Sequence, residues 1–314
     1  MEVKRVLRPY SDKFSKKTYT QHQHAVSILL MRYENKTYRD VADLLTEVAR
    51  YFDFTDDIPH FTTLQKFFQR IPSYVWDFLL GKTVELFDIK VADVGIDSSG
   101  YKQNHASQHY EHRVKRPFRR KRYMKHFLSV ETTKQVIITS ESWRSYVHDT
   151  KRFKPILKNT RKRTKIGDVS ADKGFDSESN HKYAREEVGA KSIIPLRYST
   201  SLEKTKGVYR RKLRKYFPMK RYHRRSINET INSVEKRKFG DTLRSRKLKM
   251  QRREMKVTDI VYNIHRYLNY VVSVFIGFLQ SPFLLRFIKN SVNGNMFSPN
   301  SFRHGSGYSR FANT

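Results

Sequence analysis

Four residues in the second half of the chain combine one acid with two cations and a phenol: Tyr222, Arg225, Glu229 and Lys236. On a helix, at about 100° per residue, they fall at roughly 0°, 300°, 340° and 320° and share one face. Glu235 falls at roughly 220°, well away from that face. The arrangement suits a carboxylate that binds a metal cation beside a polyanion.

The segment before this acid is strongly basic. Between Glu203 and Glu229 there is no other Asp or Glu, and the interval carries eleven Lys or Arg. A solvated helix whose charges have no special role is the alternative interpretation.

Two further carboxylates favour chemistry over that alternative. Asp97 ends the apolar run of residues 91–96, and Asp172 follows the run of residues 166–171. Both positions are where a short buried strand would end. Two acids at strand ends and Glu229 on a helix can converge on one point. In proteins that cleave phosphodiesters, such carboxylates hold two divalent ions about 3.5 to 4 Å apart.

The residues around these acids resemble the signature blocks of DDE insertion-sequence transposases. The four residues of the predicted helix face match the family's Y-x2-R-x3-E-x6-K signature without a gap. Residues 172–176, DKGFD, are similar to the block around the family's second aspartate, and residues 95–100, GIDSSG, to the block around its first. The three blocks occur in the family's order and cover roughly residues 91–270.

This resemblance implies an RNase H-like core that nicks DNA and then transfers a strand. It implies Mg²⁺ dependence, with Mn²⁺ as a substitute, and it assigns Asp97, Asp172 and Glu229 as catalytic residues and metal ligands. The implied partner is double-stranded DNA, both the terminal inverted repeats of the element and the target. A homodimer in a synaptic complex is expected because two ends are cut together.

Several side chains are candidates for DNA binding. Arg grips two phosphate oxygens and Lys supplies a point charge, which suits the residues around Glu229. Basic and aromatic residues alternate in residues 101–125, where they can clamp phosphates and stack on bases, although a solvated loop is the alternative. Trp143 is a candidate for stacking on an extruded base, as in some relatives, or is a core or lid residue. The predicted DNA-binding residues are Tyr222, Arg225, Lys236, Lys173, Arg224, Arg119, Arg120, Arg122 and Trp143.

Composition restricts the class of protein. The chain has 314 residues, 64 basic and 30 acidic, and a net charge of +34, which indicates a polyanionic partner. Nucleic acid is the leading partner, although a membrane surface or ribosomal RNA would also attract this charge. The absence of cysteine excludes disulfides, Cys-ligated zinc and thiol catalysis. No signal peptide is apparent, so a cytoplasmic, nucleoid-associated location without membrane attachment is expected.

Hydrophobic periodicity predicts an α/β protein, an RNase H-like mixed sheet flanked by helices, with an N-terminal all-helical domain. From residue 91 the predicted order is βββαβαβα, which is the RNase H-like order. The predicted strands are residues 91–97, 126–130, 135–140, 166–171 and 191–196. The predicted helices are residues 21–35, 37–52, 62–70, 150–159, 178–188, 222–236 and 254–279, with Thr37 as an N-cap and Pro155 interrupting its helix.

Three domains are predicted from this pattern. Residues 1–88 form a helical DNA-end-binding domain, in which a helix-turn-helix reader and a small packing or dimerisation bundle are both open. Residues 89–280 form the DDE catalytic domain. Residues 281–314 form an irregular tail that is either disordered or an extension beyond the core.

Three alternatives to a transposase remain open. An RNase H-like nuclease or resolvase would cut DNA without joining a 3′-OH to a second duplex. A noncatalytic basic DNA-binding protein would not need the three acids. Tyr222 has the further interpretation of a covalent nucleophile, as in tyrosine recombinases, but their Arg-His clusters are absent.

Overall fold

A mixed sheet of five strands forms the middle of the chain. Its spatial order is β3-β2-β1-β4-β5, with β1–β2 and β2–β3 antiparallel and β1–β4 and β4–β5 parallel. This order is RNase H-like and confirms the predicted fold class. The strands are β1 (Val91–Lys102), β2 (Tyr123–Glu131), β3 (Val136–Arg144), β4 (Lys165–Ala171) and β5 (Lys191–Ile193).

The structure is a computed structural model that describes residues 2–52, 54, 57–103, 123–198 and 201–279. Most of the predicted basic and aromatic segment and the whole predicted tail lie outside the described residues. The same is true of three predicted DNA-binding residues, which are Arg119, Arg120 and Arg122.

Helices flank the sheet and make up the N-terminal third. Short 3₁₀ turns occur at Ala49–Phe52, Lys173–Phe175 and His223–Arg225, and one π-helical segment at Tyr183–Val188. The α-helices are α1 (Glu2–Val6), α2 (Gln21–Tyr33), α3 (Tyr38–Val48), α4 (Phe61–Arg70), α5 (Ser73–Glu85), α6 (Thr150–Arg161), α7 (Glu178–Lys182), α8 (Val208–Lys215), α9 (Met219–Tyr222), α10 (Ser226–Phe239) and α11 (Leu248–Leu279).

Local sequence signals explain several helix bounds. Thr37 is the N-cap of α3, as predicted, and forms a reciprocal capping box with Asp40. Pro155 lies inside α6 and does not interrupt it. The carbonyl that loses its helical hydrogen bond there belongs to Lys151, an exposed residue, so solvent can satisfy it. Helix α5 was not predicted, and its Trp76 is fully buried.

Apolar side chains form separate clusters on the two sides of the sheet. One cluster packs the sheet against α6 through Phe127, Phe153 and Phe175. Another packs the opposite face against α10 and α11 through residues such as Ile231 and Val261. The cluster of the N-terminal helices includes residues of α11. The two helix layers hold the sheet between them.

The chain divides into two compact units, Met1–Tyr267 and Leu268–Thr314. The sheet and helices α1 to α10 all belong to the first unit. The domain boundaries at residues 88 and 280 stay a prediction. Within the described part of the chain, no helix has the length and hydrophobicity needed to cross a membrane.

Candidate active site

The first two predicted acids lie at equivalent positions on neighbouring parallel strands, Asp97 within β1 and Asp172 directly after β4. Ile96 of β1 is in register with Ala171 of β4, so Asp97 and Asp172 come next at the same edge of the sheet. The prediction that β1 ends at Asp97 is wrong, because the strand continues to Lys102. Its polar continuation pairs with β2 instead of forming a turn. Asp97 therefore lies where the parallel pairing stops and not where the strand stops.

The third predicted acid lies on α10, and the helix around it differs from the prediction. A single helix over residues 222–236 is wrong, because Tyr222 ends α9 and a 3₁₀ turn precedes Ser226. The turn tightens the chain just before α10. Arg225 still reaches the acid one turn later, with its Nη2 2.9 Å from Oε1 of Glu229.

Arg225 connects two of the three acids. Its Nη1 lies 3.7 Å from Oδ1 of Asp97, while its Nη2 contacts Glu229. Its guanidinium also lies 5.7 Å from the centre of the Tyr222 ring. Burial lowers the pKa of Arg225. Electrostatic interactions with Tyr222 and the three acids raise it by more, so the net shift of the pKa is upward. Arg225 is thus the counter-charge of the candidate site.

Asp97 is the most perturbed of the three acids. Burial raises its pKa to about 6, and repulsion from Asp172 and Glu229 raises it as well. The Ser98 backbone and Arg225 act in the opposite direction. The pKa of a carboxyl rises in this way when negative charge is concentrated in a partly desolvated place. Burial is the main cause of the shift, and Arg225 offsets part of it.

Two asparagines of α10 face the catalytic strand. Asn232 donates from Nδ2 to Oδ2 of Asp97 over 3.4 Å. Asn228 is fully buried above Gly95, so closely that a Cβ at Gly95 would lie 2.4 Å from its Oδ1. Only a glycine lets the helix approach the strand at this distance. These contacts place the helix acid over the strand acid.

The other predicted DNA-binding residues have different surroundings. Lys236 places Nζ 5.3 Å from the centre of the Tyr101 ring and not beside the acids. Arg224 forms an ion pair with Asp93 and keeps about half of its side chain exposed. Lys173 is exposed and immediately follows Asp172.

Trp143 lies on β3 and is partly buried. Two guanidinium groups lie near its ring, that of Arg152 at 4.1 Å and that of Arg252 at 4.6 Å from the ring centre. Its Nε1 donates to Oε2 of Glu141 over 3.1 Å. The ring is therefore engaged with the protein.

A second group of titratable residues was not found from the sequence. His126, Glu235 and Asp259 are fully buried, and one ligand atom of each lies within 4.8 Å of the others. Among the described residues, the three predicted catalytic acids do not form a group as tight as this, and Arg225 lies between two of them. Sequence spacing gave no signal for the buried group, because its members come from β2, α10 and α11.

The sequence profile of the family described as "Transposase DDE domain" matches residues 91–264, more than half of the chain. The chain belongs to this transposase family. The match begins with β1 and ends within α11, so it contains all three predicted acids.

Solved structures and curated proteins were also compared with this transposase. A piggyBac transposase synaptic complex with hairpin DNA is similar, with 10% identity, a TM-score of 0.42, and coverage of 96% of this chain and 81% of the other. The Mos1 strand transfer complex has 12% identity, a TM-score of 0.28, and coverage of 84% and 81%. No curated protein matches the transposase.

The three acids of the transposase fit divalent metal ions chemically. Their ligand atoms are all carboxylate oxygens, which Mg²⁺ and Mn²⁺ prefer. The raised pKa of Asp97, caused first by burial and then by its acidic neighbours, indicates that a cation would stabilise the ionised form. Arg225 supplies part of that positive charge.

Proposed function

We propose that this transposase binds the terminal inverted repeats of an insertion sequence, cleaves the element's ends and joins the 3′-OH to target DNA. The observation that carries the proposal is the placement of Asp97 on β1 and of Asp172 directly after the adjacent parallel strand β4, with Arg225 linking Asp97 to Glu229. Family membership supports the reaction class.

The three acids would hold two Mg²⁺ ions, with Mn²⁺ as a substitute. When bound, such ions lower the pKa of the attacking water and stabilise the charge of the leaving oxygen. The protein's own contribution is to hold the acids. Asp97 is fixed by Asn232 and by its antiparallel pairing with Leu128 of β2. Glu229 keeps 64% of its side chain exposed, so it can turn from Arg225 toward a cation.

Arg225 and Tyr222 would contact the phosphate next to the cleaved bond. Arg225 has both guanidinium nitrogens directed at carboxylates in the metal-free protein. The planar guanidinium of Arg225 would bind two phosphate oxygens of the DNA. Tyr222 lies against Arg225 and would keep it at the site.

The surrounding basic side chains would bind the DNA backbone on either side. The net charge of +34 favours this partner at long range. We assign helices α2 to α4 to recognition of the element's ends and expect a homodimer, because two ends are processed together. The proposed backbone contacts are Lys173, Arg224, Lys236, Arg119, Arg120 and Arg122, and Trp143 is kept as the candidate for stacking on an extruded base.

The test incubates the purified chain with Mg²⁺ and the inverted repeats that flank its gene, and maps nicks and joined products. Asp97→Asn, Asp172→Asn and Glu229→Gln are expected to abolish cleavage while DNA binding is kept. The matched control is Glu203→Gln, which changes an exposed acid elsewhere and should cut normally. Cleavage by Glu229→Gln would refute the assignment. Nicks without joined products would indicate a nuclease or resolvase.

A further inference from the structure

The buried group of His126, Glu235 and Asp259 lies beneath the face of the sheet that α10 and α11 cover. None of the three exposes more than 1% of its side chain. The proposed cleavage chemistry does not use them. Burying two carboxylates together costs free energy unless their negative charges are compensated. The surroundings must therefore supply either positive charge or a proton.

The carboxyl group of Asp259 is held by side chains of β2 and β3. Its Oδ1 lies 2.9 Å from Nε2 of His126, and the Ser140 hydroxyl donates to its Oδ2. The ring of His126 is held from the other side by the Ser142 hydroxyl, 2.8 Å from Nδ1. Both oxygens of Asp259 therefore have a partner.

In contrast, only one oxygen of Glu235 has a hydrogen-bond donor among the described residues. The Tyr101 hydroxyl donates to its Oε2 over 2.8 Å, but no donor among the described residues reaches its buried Oε1. A carboxyl oxygen of Glu235 also lies within 4.8 Å of a carboxyl oxygen of Asp259. Two carboxyl groups can share a hydrogen bond only when one of them carries a proton.

The positive charge of Arg32, on the neighbouring helix α2, does not fully compensate the charge of Glu235. Arg32 of α2 is close enough to lower the pKa of Glu235, but its Nη1 lies 3.7 Å from Oε1 of Glu254 and its Nε donates to Thr258. Burial, followed by repulsion from Asp259, raises the pKa of Glu235 well above its usual value. The groups that face Glu235 thus come from β1, β2, α2 and α11, and the effect of burial outweighs the attraction of Arg32.

Glu235 lies on the face of α10 that meets β1. Residues at positions i, i+4 and i+7 of a helix lie on one face, and alternate residues of a strand lie on one face. Three helix residues accordingly lie over three strand residues: Asn228 over Gly95, Asn232 beside Asp97, and Glu235 beside Tyr101. The contact of Glu235 with β1 therefore fixes the rotation of α10 about its axis, and with it the direction in which Glu229 points.

We propose that Glu235 is a neutral carboxylic acid whose proton bonds it to Asp259, and that this contact is a positioning device that holds α10 so that Glu229 faces Asp97. The positioning role rests on the proposed function of Glu229. The protonation state does not, so the two claims fail separately.

The protonation state is tested by infrared spectroscopy of the folded protein at neutral pH. The C=O stretch of a protonated carboxyl is expected in the parent and absent from Glu235→Gln. Elemental analysis of both proteins is the second measurement, since a divalent ion would compensate the same charges. No difference band, or a stoichiometric metal that Glu235→Gln loses, would overturn the proposal whether or not the protein cuts DNA.

The positioning role is tested with matched variants. Glu235→Gln keeps an uncharged donor and acceptor of the same shape, so cleavage should stay within about threefold of the parent. Glu235→Leu should lose at least about tenfold in cleavage while DNA affinity is unchanged. Tyr101→Phe removes one hydroxyl and should give a smaller loss in a protein that still folds. Equal loss in the Gln and Leu variants, or full cleavage by the Leu variant, would contradict the role.

Discussion

Arg225 lies between Asp97 and Glu229, with Nη1 3.7 Å from Oδ1 of Asp97 and Nη2 2.9 Å from Oε1 of Glu229. The guanidinium occupies the place where positive charge is needed in the absence of metal. A bound cation and Arg225 therefore compete for the same carboxylates. This relationship makes the site sensitive to metal in a way that can be measured.

Removing Arg225 should increase the stabilisation that metal provides. In Arg225→Ala the acids keep their mutual repulsion, so the metal-free protein should melt at a lower temperature than the parent. Mg²⁺ should then raise the melting temperature of the variant by more than it raises that of the parent, because a ligand that binds only the folded state stabilises it. Thermal unfolding with EDTA and with Mg²⁺ measures both values.

The control for this experiment is Arg224→Ala, which removes the neighbouring ion pair with Asp93. That pair is partly exposed, so its loss should have a small effect on stability and none on the response to Mg²⁺. An equal rise in melting temperature on adding Mg²⁺ to the parent and to Arg225→Ala would show that Arg225 does not compensate the charge of the acids.

Arg225 should also contribute one phosphate contact to DNA binding. Each phosphate contact adds about 0.9 to the slope of log affinity against log salt for duplex DNA. Arg225→Ala should therefore bind end DNA more weakly and reduce that slope by about 0.9. Titrations at several salt concentrations give the slope, and Lys158→Ala, an exposed lysine on α6, is the comparison. An unchanged slope would remove Arg225 from the DNA interface.

Adding a methyl group at Gly95 should displace α10 from the sheet. The new Cβ would lie 2.4 Å from Oδ1 of the fully buried Asn228. Overpacking of this kind costs about 1 to 3 kcal/mol, and the displaced helix should lose cleavage. Chemical denaturation and a cleavage assay on Gly95→Ala measure the two effects.

Two further variants distinguish displacement from general damage. The side-chain atoms of Asn228 have no hydrogen-bond partner among the described residues, so Gly95→Ala with Asn228→Ala should recover stability and cleavage. Gly81→Ala is the neutral control, because its Cβ would lie 3.5 Å from Nε of Arg163. A double variant as defective as the single one would argue against contact with α10 as the cause.

His24 should make the N-terminal helices sensitive to acid. Burial, with a smaller effect of Arg70, lowers its pKa to about 4. Its ring stacks on Phe67, and neither nitrogen has a hydrogen-bond partner among the described residues. The unfolded chain binds a proton at about pH 6.5 and the folded chain near pH 4, so stability falls as pH decreases through that window.

The size of this effect follows from the two pKa values. Between pH 7 and pH 5 the parent should lose about 2 kcal/mol of unfolding free energy from this residue. His24→Phe should lose correspondingly less over the same interval, measured by urea unfolding at both pH values. The same pH dependence in both proteins would show that His24 is already protonated in the fold or is not buried.

Trp143 should contribute to stability through its contacts with two arginines. The guanidinium groups of Arg152 and Arg252 lie within 4.6 Å of the ring centre. Trp143→Ala should cost about 2 kcal/mol, through lost burial and lost cation–π contact, and Trp143→Phe should cost less. Chemical denaturation measures both. If Trp143→Ala is as stable as the parent, these contacts contribute nothing.

Much of the catalytic core was predictable because its signals are local. A strand is recognised from a short apolar run, and Thr37 caps its helix through atoms only three residues away. The predictions that were wrong also have physical causes. Residues 98–100 are polar like a turn, yet β2 supplies their hydrogen bonds and extends β1 beyond Asp97. Pro155 is tolerated in α6 because the carbonyl it deprives lies at the exposed Lys151.

The sequence by itself determined the order of the five strands and the family to which the transposase belongs, because both are written in residue types and short spacings. Only the tertiary structure placed Arg225 between two acids and enclosed Glu235 with Asp259. Those relationships join residues 24 to 132 positions apart, counting from Glu235 to Asp259 and from Asp97 to Glu229. Their distances and shared charges depend on how the helices pack on the sheet, which no local pattern encodes.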